Sequence, residues 1–126
     1  MSPLRTSICS FDLDPKGFVR ATVDRGAEMT LEEAKLAIAE TVRAAQEQRR
    51  PVLVDARWLK SESRDAREYF ASDDVARACS AVALLVGSPV SRVIGNFFVR
   101  QRAQKVPTRL FTDEQAATLW LEEFVE

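Results

Sequence analysis

Hydrophobic and polar positions change period several times along the chain. From Thr6 to Asp14 the apolar residues alternate weakly, at Ile8, Phe11 and Leu13. Pro15-Lys16-Gly17 supplies turn residues, and Phe18 to Val23 resumes with β-branched side chains. This predicts a β-hairpin, closed by Asp24-Arg25-Gly26. Thr30-Leu-Glu-Glu33 then has the form of a capping box, with the threonine hydroxyl on the Glu33 amide and the Glu33 carboxylate reaching back. Leu31, Ala34, Ile38, Val42 and Ala45 follow at helical spacing, so a helix is expected to run to about Gln48 with these residues on its buried face. Pro51 ends it, and Val52 to Asp55 is a short apolar strand.

The second half repeats the alternation of strand and helix. Ser63 is placed to cap a helix carrying Ala66, Tyr69 and Phe70, extended by Asp73 to Ala76. Ala81 to Val86 is an unbroken apolar run, the pattern of a strand covered on both faces in a parallel sheet. After Gly87, Ser88 is a favoured N-cap and Pro89 fits the first helical position, so another helix begins there. Val90, Val93, Ile94, Phe97 and Phe98 share one side of it and are expected to face the core. Thr108 to Phe111 reads as a last strand. Thr112-Asp-Glu-Gln115 is a second capping box, for a helix burying Ala116, Ala117, Trp120, Leu121 and Phe124. The order β-β-α-β-α-β-α-β-α predicts one α/β domain over residues 1–126, a mixed sheet of about five strands with flanking helices.

Composition narrows what such a domain can do. With net charge -1 and 29% charged residues, the chain lacks the basic footprint of a nucleic-acid binder. The basic helix ends, around Arg43 to Arg50 and Arg100 to Lys105, complement helix dipoles. There are no histidines, and Cys9 and Cys79 are too far apart for a CxxC pair. No nucleophile–base pair, metal set or cofactor motif emerges, so a non-catalytic protein is expected. No segment is apolar enough for stable membrane insertion, and the cytoplasm is the expected location.

Three places carry candidate binding chemistry. Asp55 ends an apolar strand, where open α/β sheets place function, and Arg57 follows it. Gly87, Ser88 and Arg92 surround a helix start able to hold an anion, although no phosphate-loop fingerprint is present and capping alone explains the residues. Ser91, Gly95 and Val99, four apart, form a ridge of small residues. Gly in a helix interior costs about 1 kcal/mol relative to Ala. The ridge therefore serves either a second copy of the chain, as a homodimer contact, or a close approach within the same chain.

The phrases VLVDAR, AREYFAS, AVALLVGSPVSRVIGNFF and PTRLFTDEQAATLWL resemble small bacterial STAS/SpoIIAA-like proteins, over roughly Phe18 to Phe124. The resemblance implies a SpoIIAA-like fold and a regulatory module that works through a protein partner, whose identity it leaves open. In the anti-sigma-factor antagonists of that group a serine after the strand-ending aspartate is phosphorylated. By position this implies Ser61 and Ser63, although the D-S-S-G order is absent here, and Ser63 also suits a cap. The fold further resembles CRAL-TRIO lipid carriers, which implies an apolar ligand. That reading is set against a short chain whose apolar residues fill a single core. The alternative function is therefore the binding of a small anionic or apolar molecule.

Overall fold

The hairpin forms where its turn chemistry dictates. In the computed structural model, which describes residues 4–102 and 105–125 (without the side chains of 97, 101 and 102), β2 (Cys9–Leu13) pairs antiparallel with β3 (Val19–Val23). The Gly17 amide donates to the Asp14 carbonyl at 2.8 Å, with Gly17 at φ +98°. A Cβ there would lie 2.8 Å from Val125 Cγ1, so both backbone and space demand glycine. A two-residue strand, β1 (Leu4–Arg5), adds to the free edge of β2.

From β3 onward every pairing in the main sheet is parallel. β3 lies beside β5 (Arg50–Asp55), β5 beside β7 (Cys79–Leu85), and β7 beside β8 (Thr108–Phe111), in the order β1-β2-β3-β5-β7-β8. Pro51 is inside β5 rather than before it. The register jumps from Arg50↔Cys79 to Pro51↔Ala81, leaving Ser80 as the extra residue of a bulge. Bulges are where a sheet tolerates a residue without an N–H. A second, parallel pair joins β4 (Glu28–Met29) to β6 (Ser61–Glu62). These strands are too short to leave a sequence pattern.

The apolar run of β7 serves two layers. Val82, Leu84 and Val86 join the larger core with α1 (Leu31–Ala44), α2 (Arg64–Phe70), the one-turn α3 (Asp73–Ala76) and α4 (Pro89–Arg102). Ala81, Ala83 and Leu85 join Phe18, Leu53, Ala117 and Leu121 beneath α5 (Glu114–Glu122). Among the described residues no helix is long and apolar enough to cross a membrane.

Several expected details shift. Helix α1 stops at Ala44 because Gln46 and Glu47 turn left-handed, at φ 57° and 61°, where a C-terminal glycine would have announced the end. Its buried face is Ala34, Ala37, Thr41 and Ala44, with Ile38 and Val42 only half-buried. Thr30 caps α1 as expected, but the Glu33 carboxylate accepts from the Ser7 hydroxyl instead of reaching back. Ser72 caps α3 separately, breaking the expected continuous second helix. Asp113, not Thr112, caps α5, and Ala116 is exposed.

The largest correction concerns α4. Val90 and Val93 are 50% and 69% exposed, whereas Ser91 is 1% exposed and Gly95 is buried. A Cβ on Gly95 would stand 2.7 Å from Leu110 Cδ1 and 3.0 Å from Val86 Cγ1. The small-residue ridge therefore lets α4 settle onto β7 and β8, and the homodimer ridge of Ser91, Gly95 and Val99 is not available: Ser91 and Gly95 face the sheet and Val99 is half-buried. Large side chains already project from the strands, so the helix approaches with its smallest face. Ile94 and Phe98 are half-buried against the same core, while the side chain of Phe97 lies outside the described residues.

Candidate functional site

The carboxyl ends of β5 and β7 bring together Asp55, Arg57, Gly87 and Ser88. Asp55 Oδ1 accepts from the Arg57 amide at 3.2 Å and from Nε at 3.0 Å, and Oδ2 accepts from Nη2 at 2.8 Å. This fork occupies the carboxylate, and the bond to Asp55 raises the Arg57 pKa above its ordinary value. Arg57 also stands 3.7 Å from Glu114, which in turn meets Arg20 at 3.5 Å. A Cβ on Gly87 would lie 3.3 Å from the Arg57 side chain, so glycine here makes room for the arginine stem. The residues are assembled as an ion-pair network closed upon itself.

The helix start is similarly self-satisfied. Ser88 Oγ accepts from the Ser91 amide at 3.0 Å. In return Ser91 Oγ accepts from the Gly87 and Ser88 amides, each at 3.0 Å, and donates to the Ser88 carbonyl. At the helix start, the Gly87 and Ser88 N–H groups are held by Ser91 and the Ser91 N–H by Ser88, and Arg92 is exposed beside them. Ser61 belongs to β6. Ser63 Oγ accepts from the Ala66 amide at 3.2 Å and donates to Asp65 at 2.6 Å, holding the Asp65 carboxyl below its ordinary range. Ser63 is thus engaged as a helix cap.

A different site lies between the sheet and helices α1, α2 and α4. A cavity of about 110 Å³ is walled by Phe11, Val23, Val52 and Leu84 from the strands, Ile38 from α1, Phe70 from α2, and Ile94, Gly95 and Phe98 from α4. Both cysteines line it, and burial pushes the Cys9 thiol up to about 11, so it behaves as an apolar wall rather than a nucleophile. Polar groups at the wall are few. Thr41 donates its hydroxyl proton to the Ala37 carbonyl at 2.8 Å, and Ser91 is committed to the helix cap.

The exception is Glu62. Its side chain is 6% exposed, and Oε1 stands 3.5 Å from Arg67 Nε without a hydrogen bond. Burial raises its pKa from 4.5 to about 6, against the lowering pull of Arg67. Sequence reasoning missed both features. Glu62 sits in the charge-rich run Lys-Ser-Glu-Ser-Arg-Asp, which reads as a solvated connection. The cavity arises because Ala21, Ala37, Ala56 and Gly95 meet around one space, and only their three-dimensional coincidence leaves it unfilled.

Residues 11–125 match the profile of a family described as a domain of unknown function, DUF7793. No curated protein matches the chain. Among solved structures, an uncharacterized DUF3478-family protein with a SpoIIAA-like fold, from Shewanella loihica PV-4, aligns with a TM-score of 0.63 at 16% identity. The alignment covers 96% of this chain and 98% of that one. A protein of unknown function from Arthrobacter sp. FB24 is 34% identical over 94% of this chain and 95% of its own, with a TM-score of 0.36. The Shewanella structure establishes the SpoIIAA-like fold.

Proposed function

We propose, from the premise that the chain belongs to the DUF7793 family of domains of unknown function, that it is a non-catalytic domain binding a compact apolar molecule in the cavity above its sheet. The observation that carries this reading is a space of about 110 Å³ lined almost wholly by apolar side chains of the core. Apolar walls that face unfilled space forfeit packing contacts, which an apolar occupant can restore. Cavities of comparable size take up benzene-sized molecules, about 150 Å³ being a worked instance. The anion alternative loses support because Ser91 occupies the helix-start amides.

Toluene is a suitable probe. At ten times its Kd it is expected to stabilise the fold by about 1.4 kcal/mol. That corresponds to a rise in Tm of roughly 3–6 °C for a domain of this size. Ala37→Leu, which places a larger side chain in the cavity wall, is expected to abolish the shift. A wild-type Tm that toluene leaves unchanged would sink the reading.

A second reading, a protein-interaction module of the STAS type, draws support from Val90 and Val93, one helical turn apart on the exposed side of α4. In its homodimeric form, sedimentation is expected to show a dimer that Val93→Asp converts to monomer. A wild-type monomer at high micromolar concentration argues against it.

A further inference from the structure

The shape of the cavity restricts what fits as much as its apolar lining does. Phe11, Ala21, Val54 and Leu84 follow one another across β2, β3, β5 and β7 in one register row, and all four line the space. The row crosses three strand spacings of about 4.8 Å, so the floor runs for about 14 Å. Gathered into a sphere, a volume of about 110 Å³ would be only about 6 Å across, little more than one such spacing, and would rest on two or three strands.

The space also runs obliquely. Cys9, paired with Val23 at the carboxyl end of β3, lines it at one extreme, and Cys79, at the amino end of β7, lines it at the other. The corners off this diagonal are closed: Leu13 and Val19 at one, and Val86 at the other, pack in the same core without lining the space. Neither edge of the sheet is reached, since Leu4, paired with Phe11, and Leu110, paired with Leu84, are also outside the lining. The result is a narrow channel across four strands, deepest where Ala21, Ala37 and Gly95 leave side-chain volume out.

A drawn-out apolar space favours an occupant of the same form. An unbranched chain keeps one methylene's width along its length and touches the walls on every side. A puckered ring is as thick as it is wide and must push packed walls apart, which is costly. A flat ring such as toluene enters part of the channel and leaves the rest unfilled. Volume sets the size: a cavity of about 150 Å³ holds the six carbons of benzene, so this one is far too small for the acyl chains of a membrane lipid. The wall hydroxyls ask for nothing from a ligand, because Thr41 donates to the Ala37 carbonyl and Ser91 to the Ser88 carbonyl. Building on the apolar-ligand reading above, we propose that the cavity is a channel for a short unbranched hydrocarbon chain of about six carbons, lying obliquely across β2, β3, β5 and β7 beneath α1, α2 and α4.

Hexane and cyclohexane test this, because they share a carbon count and differ in form. Each is titrated into the full chain, with toluene as a third compound, and binding is followed by methyl NMR. Relative to their partition from water into liquid hydrocarbon, hexane is expected to be favoured about tenfold over cyclohexane, as the cost of forcing packed walls apart implies. Hexane is also expected to shift Val23, toward one end of the channel, together with Val82, toward the other. In Ala21→Val, whose added methyls stand midway along the floor, the preference for hexane is expected to disappear. Should that variant fail to fold, the wild-type comparison decides. Cyclohexane favoured as strongly as hexane, or toluene binding where hexane does not, overturns the channel proposal and leaves apolar binding intact. A preference for hexane that persists in folded Ala21→Val overturns the placement of the chain across the strands. A wild-type protein that binds none of the three overturns the apolar-ligand reading and the proposal with it.

Discussion

Replacing Gly95 by valine is expected to lower the unfolding free energy by about 3 kcal/mol, the upper part of the overpacking range and a large share of a typical domain's 5–15 kcal/mol. The new Cβ alone would stand 2.7 Å from Leu110 Cδ1, 3.0 Å from Val86 Cγ1 and 3.2 Å from Leu84 Cδ2. Valine branches at that same atom, so its methyls cannot turn away into the cavity as a leucine side chain can. Relief requires α4 to lift from β7 and β8, exposing the half-buried Ile94 and Phe98. Alanine at this position adds only the Cβ. Its contact with a terminal leucine methyl can relax, and better helix propensity returns about 1 kcal/mol, so Gly95→Ala is expected to be close to neutral. Urea denaturation of the two variants checks the contrast. Were Gly95 on a solvent-facing ridge, valine would instead be neutral or slightly stabilising, because glycine is the poorer helix former.

Glu62→Gln is expected to stabilise the protein at neutral pH. The folded-state pKa of Glu62 is raised from 4.5 to about 6, so the folded chain holds this proton more tightly than the unfolded chain. The stability linked to that proton is fully present below pH 4.5 and is lost as pH rises through 6. The shift corresponds to about 2 kcal/mol, since each pKa unit is about 1.4 kcal/mol. Glutamine carries no titrating group, so the variant is expected to match wild type near pH 4.5 and to exceed it by about 2 kcal/mol at pH 7.5. Urea midpoints at the two pH values give the comparison directly. A variant less stable than wild type at pH 7.5 would mean that the pair with Arg67 outweighs the burial of the charge.

The architecture was legible where one local signal had one physical outcome. Ala81 to Val86 could only be a strand covered on both faces, and Thr30, Ser63 and Ser88 each cap the helix that their spacing announced. The phrases shared with STAS/SpoIIAA-like proteins implied the fold that the Shewanella structure displays. Legibility failed where sequence left two solutions of similar quality. Helix α4 carries apolar residues around most of its circumference, and periodicity selected the bulky face. The sheet beneath it, already bearing Leu84, Val86 and Leu110, accepted the small one. The candidate site failed for a related reason. Asp55, Arg57, Gly87 and Ser88 do converge, but each is satisfied by the others or by Ser91, so convergence did not leave an open ligand position. The cavity, by contrast, is an absence of side-chain volume shared among many strands and helices, and no single stretch of sequence records it. A buried glutamate among exposed charges is equally silent until its surroundings are known.

The most direct test of the apolar cavity is methyl NMR of the intact chain titrated with toluene. Saturable shifts are expected at Met29, Val52, Leu84 and Ile94, which line the cavity, while Leu53, Leu85 and Leu121 on the α5 side of the sheet stay unmoved. Absence of any saturable shift at the cavity methyls, or equal shifts on both faces of the sheet, would contradict the account.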